Sequence, residues 1–165
     1  MEIYWIPASN LHVTMNFLGE TDIDRLAILE KTILSVTAQT SVLKTSLRGM
    51  GAFPDHHHMR VLWVGVRKSR ALSELQSRLA LALQEAGFPQ EDREYIPHLT
   101  VGRLKKSRTA VDLISPFVRT SFGDLFIDHL ALYESVLAGS YPVYKCVSTF
   151  ALNDKVGEVQ NEAEE

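Results

Sequence analysis

One short pattern occurs twice in this chain and constrains its fold more than any other feature. His12-Val13-Thr14-Met15 lies near the start, and His98-Leu99-Thr100-Val101 lies past the middle. In each copy His and Thr are two residues apart among apolar residues, so on a β-strand both polar side chains point to one face. About half of the 165-residue chain separates the copies. This spacing predicts two similar lobes that turn the motifs toward one cleft.

The residues ahead of each copy strengthen the repeat. Trp5-Ile6-Pro7 leads into the first motif and Tyr95-Ile96-Pro97 leads into the second. A single His-x-Thr pattern is weak, because many strands carry a structural histidine. Two copies with similar flanks favour a functional pair of histidines.

Composition limits the classes of protein that the chain can belong to. A chain of 165 residues with 45% hydrophobic residues is long enough for one well-buried domain. The net charge is −3, and acidic residues are concentrated in residues 153–165, which are predicted to be a disordered tail. The rest of the chain is close to neutral. This balance argues against a broad nucleic-acid-coating surface but permits a small basic pocket for one phosphate.

Cysteine usage and hydropathy indicate a cytoplasmic protein without a membrane partner. The chain has one cysteine, Cys146, which excludes an intrachain disulfide and is predicted to be an inert, buried thiol. No apolar run approaches the roughly 20 residues of a membrane-spanning helix. Residues 1–5 do not resemble a signal peptide.

Periodicity along the chain predicts an α+β fold with mainly antiparallel strands. A helix capped by Thr21 and a second helix between Ser69 and Gly87 have apolar residues at helical spacing. A shorter helix is predicted at 109–115. Alternation or β-forming residues predict strands at 11–18, 42–48, 60–66, 98–104, 125–137 and 143–152, with a Gly/Pro-rich loop at 49–54 and a hairpin around 138–142.

Two imidazoles in one cleft can act as a complementary acid and base. One neutral imidazole accepts a proton from water, while one cationic imidazole donates a proton to a leaving oxygen. The hydroxyls of Thr14 and Thr100 could hold phosphate oxygens and fix the phosphorus between the rings. No acidic cluster with evident metal spacing accompanies the motifs. The pattern therefore predicts phosphodiester cleavage without a metal or other cofactor.

Five segments together resemble a known family. They are Asn10 to Glu20, Phe53-Pro54, Arg60 to Val66, Pro97 to Arg103, and Leu132-Tyr133-Glu134-Ser135 with Tyr141. With these segments the chain is similar to the 2H phosphoesterases, specifically to the bacterial and archaeal RNA 2',3'-cyclic phosphodiesterases, also named 2'-5' RNA ligases. The resemblance covers residues 3–152 in order.

The resemblance implies a bilobal fold of two antiparallel sheets with outer helices around a central cleft. It implies that His12 is the general acid that protonates the leaving 3'-oxygen and that His98 is the general base that activates water. Thr14 and Thr100 match the phosphate-holding threonines of the family. The implied substrates are RNA ends with a 2',3'-cyclic phosphate, the implied product is a 2'-phosphomonoester, and the reverse chemistry joins ends through a 2'-5' bond.

One departure from the family concerns the start of the chain. Members usually begin with a further strand and helix, about 30 residues, ahead of the tryptophan-containing segment. Trp5 stands almost at the start here. Residues 1–152 are therefore expected to form a single bilobal domain without that first unit, either as a shortened member or from a start downstream of the true one.

Other residues have a functional and a structural interpretation. The resemblance places Arg103 near the phosphate, where a guanidinium suits an anion. Phe53 could stack a nucleobase or pack in the core, and both interpretations stay open. Trp63 lies in an apolar run that predicts a core position, and His129 is predicted to be structural. His56-His57-His58 is predicted to be a solvated loop rather than a metal site.

Two other functions fit the same motifs. The first keeps the chemistry but acts on small nucleotide 2',3'-cyclic phosphates or on another 2'-5' linkage. The second is a catalytically silent nucleotide-binding module that uses the same cleft. Intact His and Thr in both motifs disfavour this second alternative.

Overall fold

The computed structural model describes residues 2–138 and 141–153. Short 3-10 turns lie at Ala8–Asn10, Ile23–Arg25 and Ser115–Phe117. The helices and strands in these ranges are, in chain order, β1 (Tyr4–Trp5), α1 (Leu26–Thr37), β2 (Leu43–Phe53), β3 (Met59–Val66), α2 (Arg70–Glu85), β4 (His98–Arg108), α3 (Val111–Ile114), β5 (Ser121–Ile127), β6 (His129–Ala138) and β7 (Tyr141–Ala151).

The strands form two sheets of unequal size. A five-stranded sheet has the order β1-β4-β3-β2-β5, and β6 pairs with β7 in a separate hairpin. Every strand pair is antiparallel. In the hairpin the pairing runs from His129 opposite Ala151 to Ala138 opposite Tyr141. The predicted α+β class with two antiparallel sheets is confirmed. The two residues at the tip of the predicted hairpin, 139 and 140, lie outside the described residues.

The two long helices pack against the hairpin and the start of β2 in one hydrophobic cluster. Their apolar stripes are buried as the sequence predicts, and Leu75 and Leu83 are almost fully enclosed. The hydroxyl of Ser69 accepts a hydrogen bond from the Leu72 backbone N–H at 3.2 Å and caps α2. Gly87 ends this helix with φ +79°, a conformation that glycine adopts readily. The first helix covers one face of the hairpin through the same cluster.

A second cluster lies on the opposite side of the large sheet from the motif side chains. Met59, Leu62 and Ile114 are fully buried there, with Leu104 and Ala52 beside them. This cluster packs α3 against β2, β3 and β4. Burial of this face fixes which side chains of the sheet remain on the other face.

The predicted strand at 11–18 is wrong as a regular element. Its one described strand contact is an isolated antiparallel bridge between Val13 and Leu99. A strand needs a partner along its length, and β4 begins at His98, so the residues after Thr14 have no edge to pair with. Met15 packs against the first cluster instead.

Other element boundaries also differ from the sequence prediction, and β4 continues to Arg108, beyond its predicted end at 104. β2 continues through the predicted loop, because Gly49 takes φ +73° at an irregularity and lets the strand run on to Phe53. The predicted strand at 125–137 is divided at Asp128, since β5 pairs with β2 while β6 pairs with β7. The short helix near 109–115 continues as a 3-10 turn through Pro116, which is tolerated in a first turn.

The predictions for Thr21 and Cys146 are wrong. Thr21 does not cap α1, because its hydroxyl is directed to the Gly19 carbonyl and a 3-10 turn precedes the helix. Cys146 is exposed rather than buried, since α1 covers the other face of the hairpin.

Asn153 is bridged to Ser41, so it belongs to the fold, and the rest of the predicted acidic tail lies outside the described residues. No helix in the described ranges combines the length and apolarity needed to cross a membrane.

Tyr95 links the flank of the second motif to the first motif, and this link predicts a pH dependence of stability. Its hydroxyl lies 3.2 Å from the Met15 sulfur, and burial raises the pKa of Tyr95 from 10.0 to about 12. The folded protein therefore favours the neutral phenol, so stability present below pH 10 is lost as the pH rises toward 12. We expect Tyr95→Phe to flatten the alkaline fall of the thermal midpoint, whereas Tyr4→Phe, on exposed β1, leaves it unchanged. Equal alkaline profiles for wild type and Tyr95→Phe would contradict this.

Candidate active site

The isolated bridge aligns the two motifs with each other. With Val13 opposite Leu99, the antiparallel register places His12 across from Thr100 and Thr14 across from His98. Side chains directly opposite each other have Cβ atoms about 4.5–5.5 Å apart. Val13 and Leu99 point away from these four side chains, which share one face. All four are half-buried, so they remain accessible from that face.

Both imidazoles are oriented by the same kind of hydrogen bond. His12 Nδ1 lies 2.8 Å from the Asn10 carbonyl oxygen, and His98 Nδ1 lies 2.7 Å from the Ile96 carbonyl oxygen. A carbonyl oxygen only accepts, so Nδ1–H donates in both rings. In the neutral rings Nε2 is therefore an acceptor, and in the cationic rings it is a donor. Each histidine thus presents Nε2 as the nitrogen that can exchange a proton.

Two aromatic side chains, Phe53 and Trp63, lie beside His98. The Phe53 ring meets the His98 ring edge to face, with centroids 5.0 Å apart, and Trp63 lies 6.2 Å from the same ring. Phe53 and Trp63 are themselves 5.4 Å apart. The register explains the grouping, because Trp63 is opposite Thr100 and Phe53 is opposite Val61 on the same face.

The apolar run around Trp63 predicts a core position, but Trp63 belongs to neither hydrophobic cluster. It lies on the motif face of β3, and its indole occupies the space that a Cβ at Gly51 would fill. Its Nε1 is buried and has no hydrogen-bond partner among the described residues. The indole of Trp63 packs on the backbone of Gly51, which has no side chain, and lies beside the rings of Phe53 and His98. Two glycines could have indicated this position of Trp63 from the sequence. Gly51 lies opposite Trp63 on the neighbouring strand, and Gly65 lies two residues after Trp63 on the same strand.

A second aromatic pair lies beside His12. The Tyr144 ring meets the His12 ring at 4.7 Å with an interplanar angle of 70°, and the Tyr133 ring lies 5.9 Å from it. Both tyrosines lie on one face of the hairpin, since Tyr133 is opposite Cys146 and Ser135 is opposite Tyr144. Tyr133 is among the residues that carry the family resemblance, whereas nothing in the sequence pattern indicated Tyr144.

A β-bulge brings Arg103 to the motif face. Leu62 is opposite Gly102 while Trp63 is opposite Thr100, so β4 has one extra residue, Val101, at this point. The extra residue reverses the alternation, and Arg103, opposite Val61, therefore points to the same face as Thr100 and Trp63. Without the bulge, a residue five positions after His98 would point to the opposite face. Arg103 is half-buried and has no ion pair with another described residue.

The remaining histidines lie apart from this arrangement. His56, His57 and His58 are exposed in a loop, as predicted, and the Asp55 carboxylate accepts hydrogen bonds from the backbone N–H groups of His57 and His58. The hydrogen bond with His58 lowers the pKa of Asp55. His129 is exposed and bonded to Asp128 at 2.5 Å. Within residues 2–138 and 141–153, no group of three or more His, Cys, Asp or Glu side chains could hold a metal ion.

The arrangement suits transfer of protons on both sides of a tetrahedral phosphorus. Two Nε2 atoms on one face can serve as acid and base, and two hydroxyls and one guanidinium can bind anionic oxygens. The aromatic rings beside each histidine offer surfaces for nucleobases.

Comparison with known proteins assigns the family. Residues 3–137 match the 2'-5' RNA ligase superfamily. The RNA 2',3'-cyclic phosphodiesterase of Archaeoglobus fulgidus is 35% identical over 146 residues, which cover 88% of this chain and 81% of that protein. The enzyme of the same name from Methanocaldococcus jannaschii is 34% identical over 145 residues, 86% of this chain and 80% of that protein. The chain belongs to the 2'-5' RNA ligase superfamily.

Solved structures show the same fold. Escherichia coli LigT complexed with 3'-AMP aligns with a TM-score of 0.71 and 25% identity over 90% of this chain and 80% of that one. The protein TT0787 of Thermus thermophilus aligns with a TM-score of 0.78 and 24% identity over 91% of this chain and 82% of that one. The expected 2H phosphoesterase fold is confirmed.

The close packing of the Trp63 indole on Gly51, beside His98, can be tested by adding a side chain at Gly51. In Gly51→Ala the new Cβ overlaps the indole, so we expect a loss of about 1–3 kcal/mol of stability, measured by thermal or urea unfolding. In a Trp63→Leu background the same change meets a smaller side chain, and we expect roughly half of that loss or less. An equal loss in both backgrounds would show that the indole is not what Gly51 accommodates.

Proposed function

We propose that this protein hydrolyses the 2',3'-cyclic phosphate at RNA ends to a 2'-phosphomonoester, using His12 as proton donor and His98 as proton acceptor without a metal ion. Its family and the shared name of its relatives support the reaction. The observation that carries the mechanism is the matched pair of Nδ1 hydrogen bonds to backbone carbonyls, which leaves Nε2 of both rings for proton transfer.

In this proposal the substrate phosphorus lies between the two rings. His98 Nε2 removes a proton from water as the water oxygen bonds to phosphorus. His12 Nε2 donates its proton to the 3'-oxygen as the bond from phosphorus to that oxygen breaks. The 2'-oxygen stays bonded to phosphorus, which gives a 2'-phosphate. His12 starts cationic and ends neutral, while His98 starts neutral and ends cationic.

The other proposed contacts bind the anion and the nucleoside. The hydroxyls of Thr14 and Thr100 donate to nonbridging phosphate oxygens, and the Arg103 guanidinium compensates their charge. Phe53, half-buried and beside His98, provides a stacking surface for the terminal base. Because a 5'-hydroxyl can take the place of the attacking water, the same site would join a 2',3'-cyclic phosphate end to a 5'-hydroxyl through a 2'-5' bond.

The proposal predicts a loss of turnover when either motif histidine is removed. We expect His12→Ala and His98→Ala each to lower kcat by about 10²–10⁴-fold on an RNA oligonucleotide ending in a 2',3'-cyclic phosphate, because each removes one proton-transfer step. His129→Ala is the matched control, since His129 is exposed and far from the motifs in the sequence.

The assay is run in chelator, and the position of the product phosphate is read by mass spectrometry with phosphatase mapping. A 2'-phosphate product supports both regiochemistry and metal independence. Activity that requires added metal contradicts the mechanism. Nucleotide binding without product from the folded wild-type protein points to a silent binding module, and turnover of mononucleotide 2',3'-cyclic phosphates alone points to a small-molecule phosphodiesterase.

A further inference from the structure

We propose that the 5' body of a single-stranded RNA substrate runs from the reaction site along β4 over a basic track formed by Arg60, Lys105, Lys106 and Arg108. The inference rests on the proposed function, which it deepens by stating how a polynucleotide is held. It assigns these four residues to the RNA backbone and not to the scissile phosphate.

The track is built by an irregularity in strand pairing. Val61 is opposite Arg103 and Met59 is opposite Arg108, so one residue of β3 faces four residues of β4. β4 therefore bows outward between these two pairs. Leu104 is buried in the second cluster, whereas residues 105–108 and Arg60 are exposed. The bow thus displays cations on a surface where regular pairing would have set them closer to the sheet.

The track continues directly from the proposed phosphate site. Burial of Leu104 directs its neighbours Arg103 and Lys105 to the face of Thr100. Lys106 and Arg108 alternate to the other side of the strand, where Arg108 is opposite buried Met59. The track therefore follows the edge of β4 beyond its pairing with β1, with cations on both sides of this edge. At about 3.3 Å per residue, Arg108 lies no more than about 26 Å from Thr100 along the strand. A few linked nucleotides can span this distance, whereas a mononucleotide held at the motifs cannot reach Arg108.

The charges on the track are uncompensated. Among the described residues, none of its four cations forms an ion pair with a carboxylate. The nearest acidic residues in the sequence are Asp55, whose carboxylate is engaged by the loop histidines, and exposed Asp112 at the start of α3. Four exposed cations with few acids among them bind a polyanion through its phosphates.

A second basic region offers a weaker alternative path. A hollow of about 340 Å³ is lined by Lys44, Arg67 and Lys68, together with Ser46 and Asp124. Here Lys44 is paired with Asp124 at 2.8 Å, and Lys68 is paired with Glu94 at 2.9 Å. These carboxylates already neutralise both lysines. Charge therefore favours the β4 direction for the RNA backbone.

The test compares two triple variants that change the net charge equally. Lys105→Gln/Lys106→Gln/Arg108→Gln, the track variant, removes three of the four track cations, and Lys31→Gln/Lys44→Gln/Lys68→Gln removes three exposed cations elsewhere. Each is assayed on adenosine 2',3'-cyclic phosphate and on a single-stranded RNA octanucleotide ending in a 2',3'-cyclic phosphate. Thermal unfolding confirms that both variants fold.

We expect the track variant to lower kcat/KM on the octanucleotide about ten-fold or more through KM, with less than a two-fold change on the mononucleotide. The slope of log kcat/KM against log salt for the octanucleotide should become shallower by about 2, because three phosphate contacts to a single strand are lost. The control variant should keep wild-type values. Equal octanucleotide kinetics in the two variants overturn the track.

Binding separates failure of the track from failure of the proposed reaction. Fluorescence anisotropy measures the affinity of each protein for a labelled octanucleotide that ends in a 3'-phosphate and needs no turnover. If wild type turns over neither cyclic substrate, the proposed function fails, and weaker binding by the track variant alone still supports the track. Equal affinity of wild type and track variant overturns it in either case.

Discussion

One antiparallel bridge, between Val13 and Leu99, sets the geometry on which the site depends. The first motif lies in an irregular segment, so pairing along a full strand does not hold it in place. The bridge nevertheless fixes the register of both motifs, because a shift of one residue would turn His12 and Thr14 to the opposite face. The contact of Tyr95 with Met15 fastens the same two segments a few residues further along. These two contacts, together with the pairing of β1 with β4, bring together residues that the sequence separates by half its length.

Local periodicity predicts the parts of this fold that local physics determines. The stripes of Leu72, Leu75, Leu79 and Leu83 recur at helical spacing, and α2 buries each of them. The alternating and apolar runs predict β3 and the motif half of β4. Strand edges and interruptions are harder to predict because they depend on partners far away in the sequence. The segment at 11–18 alternates as a strand should, but most of it has no strand to pair with, because β4 begins only at His98.

The catalytic candidates could be predicted from the sequence, but their surroundings could not. The paired His and Thr residues are visible as a repeated motif, whereas the face of Arg103 is decided by a bulge at Val101 that no spacing rule reveals. The sequence predicts Trp63 as a core residue, because a continuous apolar run does not show which face is covered. Its place beside His98 depends on Gly51 on the neighbouring strand. Tyr144 and exposed Cys146 likewise depend on which face of the hairpin α1 covers.

The twin backbone hydrogen bonds of His12 and His98 have a consequence for the recovery of the enzyme after each catalytic cycle. They present Nε2 of both rings in the same way, so acid and base differ in which Nε2 carries a proton at the start of the proposed reaction. In the proposed reaction each turnover leaves these states exchanged, with His12 neutral and His98 cationic, so the free enzyme emerges in a form that cannot repeat the same proton transfers. Because both rings are only half-buried, water can return the proton that one ring has lost and remove the proton that the other has gained. Hydrolysis in one direction therefore depends on a resetting step in the empty site, and solvent access to the two imidazoles is part of the catalytic design.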